Sequence, residues 1–264
     1  MTTKLQRAPV FFISHGAPTF ALEPGQLGAN LRAIGQQLTG IKAVLVVSPH
    51  WQTRELQVLT TPAPETVHDF GGFPAALYAL QYPAPGQPEL AADALRLLAQ
   101  AGWSVTADDN RGLDHGAWVP LFHLLPQAQI PVFQVSMPRS LDTAGALALG
   151  RALMPLRDQG VLIVGSGSLT HNLYELQRPD APAVDYAVEF ARWIRQAVAR
   201  ADVDALVDYR RLAPHAERAH PTQEHFLPLL VALGASHESD VAQVIAGDIT
   251  YGVLSMESYA WGLN

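Results

Sequence analysis

The stretch AVLVVS at residues 43–48 decides the fold prediction, because it is continuously apolar yet too short to form a helix. PVFFIS at residues 9–14 has the same character, and so do residues 132–137 and 161–165. Runs of this kind are typical of strands that are buried on both faces of a parallel sheet. We therefore predict four central strands at these positions.

Longer segments with helical periodicity separate these runs, and they cover residues 27–38, 89–101, 143–157 and 184–201. Strands that alternate with helices favour a three-layer α/β architecture, in which helices flank a mostly parallel central sheet. Residues 242–261 look less helical and are predicted to add strands, some of them antiparallel. The Pro- and Gly-rich segments 61–74 and 82–88 are neither long nor polar enough for linkers. Residues 1–264 are therefore predicted to form a single domain.

The composition limits the classes of function that the chain can have. Its 264 residues are 48% hydrophobic and 16% charged, which suits a globular protein with a substantial core. The net charge of −7, without any basic cluster, argues against nucleic-acid binding. The chain has no cysteine, which excludes disulfides, thiolate metal sites and cysteine nucleophiles. Any metal must therefore be bound by His, Asp or Glu.

The sequence contains no segment typical of a signal peptide or a membrane span. Residues 1–7 are short and polar and lead directly into the first apolar run, and no long apolar segment follows. The expected location is therefore the cytoplasm, and no membrane partner is expected.

Three of the ten histidines follow predicted strands. His15 follows the first strand, His50 the second and His171 the fourth, each near Gly, Ser or Pro. Open α/β sheets place their ligand sites beyond the carboxyl ends of parallel strands. Small neighbours let the backbone turn sharply and leave the imidazole accessible. A single histidine of this kind is more often structural, but three at equivalent strand ends predict one shared metal crevice.

Two further histidines are candidates for the same crevice. His115 precedes a helical pattern, and its neighbour Asp114 could orient the ring. His225 lies in PTQEHFLP at residues 221–228, where Thr222 is predicted to be a helix N-cap. Glu224 and His225 would then occupy the first helical turn. A protonated histidine is disfavoured there by the helix dipole, whereas a neutral, metal-bound one is not.

The other histidines give weaker signals. His68 belongs to the loop HDFGGFP at residues 68–74, which is typical of a segment covering a pocket but equally of a structural turn. Four are expected to be structural or exposed: His123, His215, His220 and His237. The sequence GSGS at residues 165–168 matches neither a nucleophile elbow nor a phosphate loop. A Ser166 or Ser168 nucleophile paired with His171 is a minor alternative.

Six motifs, taken in order, resemble those of a known family. They are SHGAP at 14–18, VVSPHW at 46–51, HDFGGFP at 68–74, DHGAW at 114–118, GSLTHNL at 167–173 and PTQEHFLPL at 221–229. Each motif alone is weak, but the series spans nearly the whole chain. Together they resemble the class III extradiol ring-cleavage dioxygenases, with the 4,5-DOPA extradiol dioxygenase group as the nearest branch.

The resemblance implies one non-haem metal per chain, Fe(II) for dioxygenase activity or Zn(II) as bound. It implies His15, His50 and His225 as the metal ligands. Glu224 is the reserve candidate, because many extradiol enzymes have a carboxylate in the third position. His171 would be the acid–base residue, and also a ligand where zinc is bound. His115 would be a second pocket histidine that hydrogen-bonds oxygen or substrate.

The implied substrates are a small aromatic diol and O2, and the expected assembly is a monomer or homodimer. A catechol can chelate one metal through its two adjacent oxygens and leave a position for O2. With an ordinary pKa of about 6.5, His171 suits removal of a catechol proton near neutral pH. Two other classes of function stay open. They are a zinc hydrolase that uses bound hydroxide and a non-enzymatic binding protein that keeps the fold.

Overall fold

A sheet of eight strands forms the centre of the protein in the computed structural model, which describes residues 7–263. Residues 1–6, part of the stretch in which no signal peptide was found, and residue 264 lie outside the described residues. The predicted single domain, 1–264, includes these positions. The strands are β1 (Val10–Ser14), β2 (Ala43–Thr53), β3 (Leu56–Leu59), β4 (Val105–Asp108), β5 (Val132–Pro138), β6 (Val161–Gly167), β7 (Ala242–Ile245), β8 (Ile249–Thr250), β9 (Leu254–Ser255) and β10 (Ser258–Trp261).

The strand order is β4-β3-β5-β2-β6-β1-β10-β7, and β8 and β9 form a separate antiparallel pair. The central strands β5, β2, β6 and β1 are all parallel. At one edge, β10 is antiparallel to β1 and β7 is antiparallel to β10. Towards the other edge, β3 is antiparallel to β5. The predicted parallel centre and the antiparallel C-terminal strands are both confirmed. Sequence reasoning did not find β3 and β4, each of which is only four residues long.

Helices cover both faces of this sheet. They are α1 (Gly25–Gly35), α2 (Ala75–Tyr78), α3 (Pro88–Gln100), α4 (His115–Leu124), α5 (Thr143–Leu153), α6 (Asp185–Ala199), α7 (Val203–Val207), α8 (Tyr209–Leu212), α9 (Ala216–Ala219) and α10 (Leu227–Ala235). On β6, a side chain at Gly165 would point at α10, whereas Ser166 bonds the first turn of α4. Because successive residues of a strand face opposite sides, α4 and α10 lie on opposite faces. The predicted three-layer architecture is therefore confirmed.

Two predicted boundaries differ from the structure for identifiable reasons. The helix predicted over 143–157 ends at Leu153 and continues as a 3₁₀ helix, Met154–Gln159. Pro155 has no N–H to donate and so ends the α-helical hydrogen bonding. The strand predicted over 43–48 continues to Thr53, although its pairing with β5 is irregular between Val47 and Gln52.

No helix within residues 7–263 is long and apolar enough to cross a membrane.

Helices α5 and α10 pack closely because glycines face each other across their contact. A methyl group on Gly150 would collide with the carbonyl of Val231, and one on Gly234 would collide with the carbonyl of Leu147. Buried interiors are close-packed, so neither collision can be relieved without moving a helix. Helix α10 in turn packs on β6 and β1, so this contact fixes its position over the sheet.

We expect Gly150→Ala to lower the free energy of unfolding by about 1–3 kcal/mol, because it overpacks the contact between α5 and α10. Chemical denaturation of the purified protein measures this change. Gly71→Ala is the matched control: nothing lies within 4 Å of the added methyl group, and the expected change is within ~0.5 kcal/mol. Equal stability of the two variants would contradict the proposed tight contact.

Candidate metal centre

Five histidines line one cavity of about 290 Å³ beside the carboxyl ends of the central parallel strands. His15 immediately follows β1, and His171 lies four residues beyond β6. His115 is the first residue of α4, and His225 lies two residues before α10. The three strand-end histidines predicted to share a crevice therefore do lie together, with two more beside them.

His50 does not follow its strand as predicted but lies inside β2, where the pairing with β5 is irregular. At this position the ring of His50 lies next to the ring of His15, and their Nε2 atoms are 3.1 Å apart. The ring of His115 also lies here, with its centroid 3.9 Å from that of His50. Ligand atoms of these three residues all lie within 4.8 Å of one another.

Hydrogen bonds at Nδ1 fix the orientation of His15. Its Nδ1 lies 2.9 Å from the hydroxyl of Ser166. That hydroxyl donates its proton to the carbonyl of Gly116, so it accepts from His15. Nδ1 of His15 is therefore the protonated nitrogen, and Nε2 keeps a free lone pair. An outer partner of this kind is typical of a metal-binding histidine.

His225 and His115 are oriented in the same way by carboxylates. Nδ1 of His225 donates to Glu224 at 3.0 Å, and Nδ1 of His115 donates to Asp69 at 3.0 Å. Asp69 also accepts from the backbone N–H of His115 and lies 3.8 Å from Nδ1 of His50. Nε2 of His225 is buried and has no hydrogen-bond partner. A buried nitrogen without a partner is costly unless a ligand completes it.

The local structure around His225 differs from the prediction. Thr222 does not cap a helix, because α10 begins only at Leu227, with Pro228 in its first turn. A proline is favoured there, since its missing N–H would have no helical partner. Thr222 instead donates to Glu224 at 3.0 Å, so Glu224 supports His225 from outside. The carbonyl of His225 accepts from the backbone N–H of Ser168 at 2.9 Å.

His171 stacks on His225, with the ring centroids 3.4 Å apart and the planes inclined by only 9°. His171, Glu224 and His225 form a second group whose ligand atoms lie within 4.8 Å of one another. The ring centroid of His225 is 5.5 Å from that of His15 and 5.1 Å from that of His50. His225 therefore joins the two groups of potential ligands.

Burial keeps four of these imidazoles uncharged, those of His15, His50, His171 and His225. Desolvation, reinforced by neighbouring histidines, lowers the pKa of His15 and of His225 well below the ordinary value. Burial likewise lowers the pKa of His50 and that of His171 to about 4. Burial alone would raise the pKa of Asp69, but hydrogen bonds from His115 outweigh it and lower that pKa to about 2. At neutral pH these four histidines therefore offer neutral nitrogens, which metal binding requires.

The remaining sequence candidates fall outside the cluster. The Ser166 and Ser168 hydroxyls donate to the carbonyls of Gly116 and Thr170, so neither is paired with His171 as the serine-nucleophile alternative requires. His68 does not line the cavity; its Nε2 lies 3.0 Å from the carbonyl oxygen of Leu80. The structural and exposed histidines pair elsewhere: His123 with Phe20, His220 with Leu169, His215 with Glu189 and His237 with Ser239.

Sequence reasoning missed the residues that orient the histidines. The sequence indicates Asp69 only as part of the loop at residues 68–74, and Ser166 only as a possible nucleophile. Nothing local in the sequence indicates that Asp69 meets His115, which is 46 residues away. A histidine with a carboxylate or hydroxyl at Nδ1 is a tertiary arrangement, so only the folded chain reveals it.

Comparison with known proteins agrees with this geometry. The family model for the catalytic LigB subunit of aromatic ring-opening dioxygenase matches residues 9–260. A 4,5-DOPA dioxygenase extradiol of Beta vulgaris is 42% identical, with 94% of each chain covered. One of Escherichia coli is 36% identical, with 97% of this chain and 95% of the relative covered. The crystal structure of an uncharacterised Escherichia coli protein superposes with a TM-score of 0.80 at 32% identity, covering 96% and 99% of the two chains.

We expect the metal-free protein to lose stability as the pH falls from about 6.5 towards 4. In that interval the unfolded histidines bind protons, whereas His50 and His171, with pKa values of about 4, do not when folded. The unfolded state then binds more protons, so the free energy of unfolding decreases with decreasing pH. Denaturation curves of the metal-free protein at several pH values measure the slope.

His171→Gln should reduce this slope, because it removes one of the titrating groups. Leu212→Gln, at a leucine that is 43% exposed, removes no titrating group and is the control, which should leave the slope unchanged. A stability that is constant or increases below pH 6.5 would refute the picture of a neutral, buried cluster.

Proposed function

This chain belongs to the LigB family of aromatic ring-opening dioxygenases, and we propose that it opens a catechol ring at a metal held by His15, His50 and His225. Family membership gives the activity class: the protein is a metal-dependent extradiol ring-cleaving dioxygenase, an oxidoreductase that acts on catechol-type substrates with O2. Family membership therefore favours the dioxygenase over the two alternatives, a zinc hydrolase and a non-enzymatic binding protein. We further propose that residues 1–264 form one catalytic unit, which the match over 9–260 supports.

One observation carries the assignment of the metal ligands. Nε2 of His15 faces Nε2 of His50, while the buried Nε2 of His225, in the ring beside them, has no partner. Nδ1 of His15 and of His225 is already occupied by an outer hydrogen bond. These donors fit a divalent metal, because imidazole nitrogen suits both iron and zinc. We propose Fe(II) for ring cleavage, with Zn(II) able to occupy the same ligands.

When bound, such a metal supplies a Lewis acid and an electron path between a chelated catechol and O2. We assign His171 as the base that takes a proton from a catechol hydroxyl and later returns it. Burial lowers its pKa to about 4, below the ordinary 6.5 expected from the sequence, so the ring is unprotonated at neutral pH but is a weaker base than an ordinary imidazole. Its stacking on His225 supports this role, because the ring lies directly beside a proposed ligand.

We assign His115 as the second pocket histidine, which holds oxygen or substrate by a hydrogen bond. Its Nδ1 donates to Asp69, so its Nε2 is free to face the cavity. His115 also lies within ligand distance of His15 and His50. The assignment of His225 rather than His115 as third ligand therefore needs a direct test.

Anaerobic reconstitution with Fe(II), followed by addition of a catechol and O2, should give a yellow ring-opened product. Oxygen uptake should equal the catechol consumed, because a dioxygenase inserts both oxygen atoms into its product. The zinc-loaded protein is the control and should take up no oxygen, because Zn(II) has no redox chemistry. Absence of product from every catechol of a varied panel would overturn the proposed function.

His225→Ala should abolish stoichiometric Fe(II) binding, whereas His115→Ala should retain the metal and lose turnover. His171→Ala should retain Fe(II) and lower kcat by roughly 10²–10⁴-fold, the usual contribution of a general acid–base group. Metal analysis after gel filtration, together with oxygen uptake, separates the three outcomes. His215→Ala, at an exposed position, is the control for the loss of a histidine. Full metal retention by His225→Ala would refute its role as ligand.

A further inference from the structure

The backbone around His50 departs from regular sheet pairing, so its polar groups need partners elsewhere. Four residues of β2, 48–51, lie opposite the single residue Ser136 of β5. A bulge of this kind leaves backbone groups unpaired and re-aims a side chain, and bulges are frequent beside active sites. His50 lines the cavity from this bulge. Whatever holds the bulge therefore also holds a proposed metal ligand.

Two side chains replace the missing sheet partners of His50. Its backbone N–H donates to the hydroxyl of Ser48 at 3.2 Å, and its carbonyl accepts from the guanidinium of Arg111 at 3.1 Å. That guanidinium also lies over the ring of Trp51, 5.6 Å from the ring centroid. Both backbone polar groups of His50 are therefore satisfied by side chains, as buried backbone groups require.

The carboxylate of Asp114 bonds both of these side chains. Asp114 is fully buried, and one of its oxygens accepts from the hydroxyl of Ser48 at 2.7 Å. The other oxygen accepts from Arg111 at 3.4 Å and from the amide of Gln134 at 2.9 Å. A buried carboxylate is costly unless hydrogen bonds compensate it. Here two of the compensating donors are the groups that hold the backbone of His50.

Asp114 also determines where His115 lies. It is the N-cap of α4, and its side chain accepts from the backbone N–H of Ala117 at 3.2 Å. His115 is the first residue of that helix, and Nδ1 of its ring donates to Asp69. Asp114 therefore fixes the backbone of His115, whereas Asp69 orients the ring.

Gly116 brings the start of α4 into direct contact with the bulge. A methyl group on Gly116 would collide with the hydroxyl of Ser48 and with the ring of His50. Because buried interiors are close-packed, the helix start and the bulge cannot move independently. The positions of His50 and His115 are therefore coupled, and Asp114 is bonded to both segments.

We propose that Asp114 is a positioning residue of the metal site, because it holds the backbone of both His50 and His115. The inference rests on the proposed function, in which His50 is a metal ligand. Loss of an outer partner of a metal ligand typically weakens metal affinity by roughly 10–100-fold. A residue that served only as a helix cap would change stability and leave the metal affinity of the folded protein unaltered.

The zinc affinity of Asp114→Asn tests this role, measured by competition with a chelator. Zn(II) is suitable because it has no redox chemistry. Asn keeps the size of Asp but replaces one acceptor oxygen by a donating amide. In one orientation that amide opposes the donors of Arg111 and Gln134, and in the other it opposes the hydroxyl of Ser48. We expect the Kd for zinc to rise at least tenfold.

Asp142→Asn is the matched control, because it makes the same substitution at the N-cap of α5. The carboxylate of Asp142 accepts from the backbone N–H of Gly145 at 2.7 Å, and Asp142 does not line the histidine cavity. Asn caps a helix about as well as Asp. The Kd for zinc should change by less than twofold.

Ser48→Ala is a second test, which leaves Asp114 in place. It removes the acceptor for the N–H of His50, while Asp114 can still cap α4 through Ala117. We expect the Kd for zinc to rise at least fivefold. An unchanged Kd in either folded variant, with or without a loss of stability, would overturn the inference. Failure of the unaltered protein to bind zinc stoichiometrically would contradict the proposed ligand set, and this inference with it.

Discussion

Five imidazole rings share one cavity, and each can bind a metal only while at least one of its nitrogens carries no proton. For His15, His50, His171 and His225, removal from water enforces this state, because a buried imidazolium would lose its hydration and face other histidines. The carboxylates and the hydroxyl that accept from Nδ1 then determine which nitrogen remains free. The arrangement of strands, loops and helix starts around the cavity serves to bring these partners into place.

The sheet and its glycines make this arrangement possible. His15 and His171 follow neighbouring parallel strands, and His50 lies in a third. His225 comes from a different part of the chain, and its carbonyl approaches β6 where a side chain at Gly167 would collide with it. The position of the proposed third ligand therefore depends on a strand residue that has no side chain.

The cavity combines two environments with separate tasks. Its floor of imidazole nitrogens suits a metal and the polar end of a catechol, whereas its walls carry mainly apolar side chains. Of the charged residues around the cavity, Asp69 and Glu224 orient histidines, and Glu175 pairs with Arg218. The groups that can bind a metal or move a proton are thus concentrated on the floor.

The parallel centre of the sheet could be predicted from sequence, because strands such as residues 43–48 are apolar on both faces. His15 and His171 could be placed beside strand ends for the same reason. The order of the six motifs also indicated the family, because each motif is a short continuous stretch of sequence that can be recognised without knowing the fold. Local patterns failed where distant segments interact: Thr222 looks like a helix cap, yet it donates to Glu224 and the helix starts after it. Only the tertiary structure pairs Asp69 with His115 and Ser166 with His15, because these contacts join residues 46 and 151 positions apart.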